Sequence, residues 1–230
     1  MALKQKLRIV IDIAMVALLL CAYNSQLARE SAHKFIGIAI FILFAIHIFM
    51  NRQWFTAIFK GTYTPRRIFL SIINILLALA AGTMILAGIL EASWKPSFSV
   101  FESGITIREI HTIAAYWFLP IAGIHLGLHW GQFSKRIFAY IGKKHYIIMG
   151  TRIFAVLFTA FGVWSFFDRD MYSKMFLGFS FDYWPPERPI ILFYAQTLSI
   201  MGIFVFAAYY LLKLIVWLKT DNKKYQTEVL

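Results

Sequence analysis

The stretch REIHTIAAYWFLPIAGIHLGLHW, Arg108 to Trp130, decides the fold, because it sets His111 and His125 fourteen residues apart in an apolar run long enough to cross a bilayer. An earlier stretch, SAHKFIGIAIFILFAIHIFMNRQW, Ser31 to Trp54, carries His33 and His47 at the same separation. Fourteen steps of about 100° amount to about four helical turns less 40°, so the two histidines of each stretch leave their helix from nearly one face. A rise of about 1.5 Å per residue puts them ~21 Å apart along the axis, inside a hydrocarbon core of ~30 Å. One histidine of each stretch thus belongs to each leaflet.

The rest of the chain has the composition that such helices require. Of its 230 residues 60% are hydrophobic and 15% charged, as in an integral membrane protein rather than a water-soluble domain. Apolar runs fall at about residues 8–23, 33–50, 68–90, 107–130, 150–167 and 189–218, separated by polar or Pro/Gly-containing connections. The expectation is an all-α protein of six transmembrane helices in a lipid bilayer. The lone cysteine, Cys21, excludes an internal disulfide framework and the C-x-x-C-H pattern of covalent haem attachment. Lys4, Lys6 and Arg8 precede an apolar run as they would in a signal peptide, but no small-residue cleavage pattern follows, so the segment is read as the first helix.

Basic residues cluster in alternate connections. Sixteen of the 23 fall at the N-terminus (Lys4, Lys6, Arg8), in the second and fourth connections (Arg52, Lys60, Arg66, Arg67; Lys135, Arg136, Lys143, Lys144, Arg152) and in the C-terminal tail. The opposite face holds seven basic residues against eight acids. The basic face is therefore expected in the cytoplasm, with both termini inside. The net charge of +12 is an orientation signal, and no nucleic acid is needed to explain it.

The halves of the first 133 residues repeat one another weakly. RIVIDIAM (Arg8 to Met15) resembles RIFLSIIN (Arg67 to Asn74), and His33, His47 and Asn51 fall on His111, His125 and His129. Each half is an up-and-down helix pair, so the repeat is of the parallel kind, related by an axis along the membrane normal. Parallel helices bring His33 level with His111 and His47 level with His125. The chain is accordingly divided into a four-helix bundle, 1–133, and a two-helix C-terminal extension, 134–230, whose outer connection DRDMYSKMFLGFSFDYWPPERP is acidic and aromatic.

A buried imidazole is costly unless hydrogen-bonded or coordinated. Four of them in two opposed pairs have the arrangement that holds two haems through their axial positions. Members of one helix stand ~21 Å apart and cannot share a zinc or copper ion; a proton relay is the other polar explanation. His129 lies four residues beyond His125 on the same face and competes for the inner position. His125 is preferred because it matches the spacing of the earlier helix, which leaves His129 to an inner haem propionate, a quinone or water. Asp12 near the start of helix 1 reads equally as functional or as a hydrogen-bonded interfacial acid.

The signatures HKFIGIAIFILFAIHIFMNRQWF (from His33), FKGTYTPRR (from Phe59) and REIHTIAAYWFLPIAGIHLGLHWG (from Arg108) resemble those of flavinylation-associated cytochrome domain proteins. These are bacterial inner-membrane proteins related in architecture to four-helix dihaem b-type cytochromes. The resemblance covers about residues 5–133. It implies two non-covalent b haems on His33, His111, His47 and His125, and a role in moving electrons across the membrane toward flavin-bearing extracytoplasmic proteins. Lys34 stands directly after His33, where the chain lacks the acidic residue expected from that family.

Haem propionates call for cationic or hydrogen-bonding neighbours near the water interface. By depth, Lys34 and Arg108 serve an outer haem, and Asn51 and Arg52 an inner one. Gly37 and Ala115, four residues past the outer histidines, are small where a flat macrocycle would lie, or where two helices would pack. His145 reads as a solvated loop residue. The leading function is electron transfer between a quinol or membrane dehydrogenase and an extracytoplasmic flavoprotein. Its rivals are an oxidoreductase acting directly on quinone, ferric iron or superoxide, and a haem-bearing anchor subunit that docks a larger complex through its last two helices.

Overall fold

In an apolar medium every backbone N–H and C=O has to be satisfied within its own segment, which drives such runs into helices. The computed structural model describes residues 3–24, 30–91, 105–142, 144–176 and 184–228, and among these there is no strand. The helices are α1 (Leu3–Tyr23), α2 (Glu30–Met50), α3 (Gln53–Ile58), α4 (Pro65–Glu91), α5 (Ile105–Ile141), α6 (His145–Asp168), α7 (Met171–Phe176) and α8 (Ile190–Glu228). Five of them, α2, α4, α5, α6 and α8, are long and apolar enough to cross a membrane. The 21-residue α1 carries Lys4, Lys6, Arg8 and Asp12 in its first half and is not among the five.

Hydropathy anticipated the apolar centres better than the ends. α5 and α8 run on through charged residues to Ile141 and Glu228, and α5 passes straight through the division drawn at residue 133. Gly142, at φ 88°, takes the left-handed conformation that stops α5. Pro65 opens α4 as its first residue, where its missing N–H costs nothing. His145, expected in a loop, is the exposed first residue of α6. The short helices α3 and α7 were not anticipated. The loop 92–104 and residues 177–183 of the aromatic connection lie outside the described residues.

Hydrogen bonds fix the register of neighbours. Arg8 of α1 donates to the Met50 carbonyl and Asp12 meets His47, so α1 and α2 run antiparallel. Arg108 meets Glu91 and His125 meets Asn74, which makes α4 and α5 antiparallel as well. The hydroxyl of Tyr23 donates to the Ala115 carbonyl, and its ring stands edge-on to Tyr116 with centroids 5.6 Å apart, tying α1 to α5. Apolar clusters fill the interior: Tyr116, Leu119, Met171, Met175, Ile200 and Met201 at one end, Ile73, Leu128 and Ala208 at the other. α2 is the exception. It lies along α1, and none of residues 31–50 is buried.

α8 seats against the back of α5. Gly123 and Gly127 flank His125 two residues to either side, about 160° around the helix. A Cβ there would stand 2.7 Å from the Met201 carbonyl oxygen and 2.5 Å from that of Val205. Small residues are what allow two membrane helices to approach this closely. The end of α6 and the start of α8 are clamped by Asp168, whose Oδ2 accepts from Arg188 and Gln196 at 2.9 Å each. Beside it the buried Arg169 guanidinium lies 4.2 Å from the Phe193 ring centroid.

Candidate functional site

The histidines of α2 and α5 approach one another at the His33–His111 level. His33 and His111 stand at the outer level with ring centroids 6.2 Å apart and planes at 73°. His47 lies within electrostatic reach of His125 at the inner level. Helices α2 and α5 are therefore parallel and in register, and the site is the space between α2 on one side and α4 and α5 on the other.

What each imidazole does with its second nitrogen decides what the first can do. His111 Nδ1 is 2.8 Å from the Met84 carbonyl oxygen of α4, an acceptor only, so Nδ1 carries the proton and Nε2 keeps its lone pair. His47 Nδ1 is 2.8 Å from Asp12 Oδ1, with the same consequence. His125 Nδ1 is 2.9 Å from Asn74 Oδ1, again an acceptor. A ligating histidine characteristically donates its other ring N–H to a carboxylate, carbonyl or similar acceptor, which fixes the tautomer and raises basicity. His33 keeps a buried Nδ1 with no hydrogen bond among the described residues, and the backbone of Ala22 lies beside the ring.

The outer pair has the spacing of two imidazoles that hold one iron between them. With metal–nitrogen distances of about 2.0–2.1 Å and ring centres about 1.1 Å beyond each nitrogen, the two centroids fall roughly 6.2–6.4 Å apart. His33 and His111 have this separation. Gly37, four residues past His33, has nothing within 4 Å of where a Cβ would stand, so open space rather than a packed helix faces it. Ala115 is half-buried on the α1 side, where its carbonyl receives Tyr23. Gly88 on α4 makes room for the His111 ring: a Cβ there would meet His111 Cε1 at 3.2 Å and Nδ1 at 3.3 Å.

The two inner candidates separate on the same criterion. His129 lies with its ring centroid 4.9 Å from that of His125, but no hydrogen bond orients it among the described residues. It lines a cleft of about 120 Å³ together with Trp54, Arg67, Leu70, Ser71 and Asn74. Among the described residues no three His, Cys, Asp or Glu side chains group as a site for a bare metal ion.

The polar partners expected by depth are arranged differently. Arg108 Nε donates to Glu91 Oε1 at 2.6 Å, so the outer rim is an ion pair and not a lone cation. Lys34 is half-buried on α2 beside His33. Asn51 Nδ2 is spent on the His47 carbonyl at 2.8 Å, and the Arg52 guanidinium folds back over Phe49, 4.6 Å from its ring centroid. Both side chains turn back to carbonyls of the last turn of α2, which depth alone does not register. The inner cations are instead Arg8, with a buried Nε that makes no hydrogen bond, and Arg66, which acts on His129. Asn74 and the Met84 carbonyl were missed from sequence, although a lone asparagine in an apolar helix was a usable signal. No protein-family model, curated protein or solved structure compared with the chain matches it.

Proposed function

We propose that the chain is a transmembrane electron carrier holding two b haems, the outer on His33 and His111 and the inner on His47 and His125. In this reading α1 joins the five apolar helices as a sixth span, the four-helix unit α1, α2, α4 and α5 surrounds the cofactors, and both termini face the cytoplasm of a bacterial inner membrane. The observation that carries it is the outer pair, two imidazoles at 6.2 Å, one of them with its Nδ1 bonded to a backbone carbonyl so that Nε2 is left to coordinate.

When bound, haem supplies one-electron chemistry at a potential set by ligands, hydrogen bonds and burial. The chain's own residues do the rest. Asp12, Met84 and Asn74 hold the imidazoles in one tautomer and orientation. Tyr23 pins α1 to α5 one turn from the outer pair. A quinol headgroup suits the inner cleft, where Trp54 offers an aromatic face, Ser71 a hydroxyl and His129 a ring nitrogen. Electrons then leave from the outer rim to an extracytoplasmic flavoprotein-type acceptor.

Proteoliposomes with trapped cytochrome c and impermeant dithionite outside test the reading. The trapped protein is reduced in vesicles carrying the wild type, and His47→Ala and His111→Ala each abolish the reduction. Transfer undiminished in both variants contradicts it.

A further inference from the structure

The four ring Nδ1 atoms are not backed alike. At the inner level His47 has a carboxylate, Asp12, and His125 a neutral amide oxygen, Asn74. At the outer level His111 has a neutral backbone carbonyl, and His33 Nδ1 has no hydrogen-bond partner among the described residues. Glu91, the carboxylate that acts on His33 at the outer level, is matched by Arg108 at 2.6 Å and adds little net charge. Asp12 has no such partner: among the described residues its bond is to His47 alone, while the nearby Arg8 donates to the Met50 carbonyl. Arg66 reaches this level but acts on His129, the histidine turned to the cleft.

A carboxylate that accepts an imidazole N–H makes the opposite nitrogen a stronger donor and places a negative charge one ring away from a bound metal. Both effects favour the oxidised, more positive centre. We propose that Asp12 is a positioning and tuning residue that makes the inner centre the more reducing of the two, so that electron flow runs downhill from the cytoplasmic side outward. The inference rests on the two-haem reading above. In the step it concerns, one electron passes from the inner to the outer centre, the first being oxidised and the second reduced, and no bond forms or breaks.

Redox titration of the purified protein, followed by its visible absorption, tests this. The wild type shows two couples. Asp12→Asn moves the lower one upward by at least tenfold in its reduction equilibrium, about 59 mV for one electron, and leaves the upper one in place. Asp12→Glu keeps the lower couple low. His33→Ala, which removes the outer centre without touching Asp12, retains the lower couple alone, and this arm stands even if Asp12→Asn does not assemble. A His33→Ala protein that retains the upper couple, or an Asp12→Asn protein with two haems and unmoved potentials, overturns the proposal. A wild type without haem absorbance overturns the electron-transfer reading itself, a different and distinguishable failure.

Discussion

At the scale of single residues the site is a set of imidazoles whose second nitrogens are already committed. Asn74→Leu removes the acceptor of His125 Nδ1 and leaves the ring free to turn. Loss of such a supporting bond costs roughly 10–100-fold in metal affinity. Haem titration of the apoprotein is expected to show this loss for one equivalent and not for the other. Gly88→Val drives a side chain into His111 and is expected to weaken the outer equivalent selectively. Equal loss at both levels in either variant would mean that these residues merely hold the fold. The four histidines and Asp12 were visible in the sequence, because ionisable groups in apolar runs stand out and the fourteen-residue spacing assigns their faces. Asn74 and Met84 were not, because the register of α4 against α5 chooses them. Arg52 and Asn51 misled, since a polar side chain just past a helix end folds back onto the carbonyls of its last turn.

At the scale of elements α5 is the central piece, with its histidines toward α2 and its glycines toward α8. Pro120 sits between the two histidine levels, and the carbonyl it leaves without its usual donor is that of Tyr116. Gly127→Leu forces the α5–α8 contact apart, an overpacking cost of about 1–3 kcal/mol. It is expected to lower the thermal midpoint in detergent, whereas Gly150→Leu, at a position with nothing within 4 Å, leaves it nearly unchanged. Equal midpoints would show that the close approach is not needed. The apolar runs revealed where the long helices lie, because hydropathy reports the part in lipid. They did not reveal the charged extensions of α5 and α8, or α3 and α7, which are six residues each and too short to carry a periodicity.

At the scale of the whole molecule the charge asymmetry and the level pairing of histidines belong to one arrangement, in which the inner level lies on the basic side. With Cys21 replaced by serine, Lys60→Cys is expected to react with an impermeant maleimide only after the membrane is opened, and Tyr172→Cys, 63% exposed, in intact spheroplasts. The reverse pattern contradicts the orientation. The central claim, that α2 and α5 grip two haems between them, is tested most directly by a pyridine haemochrome ratio on the wild type, His33→Ala, His47→Ala and His129→Ala. The expected ratio is near two for the wild type and His129→Ala and near one for the other two; a wild type without haem, or a His129→Ala protein that loses one while His47→Ala keeps both, would show that these helices do not hold the cofactors between them.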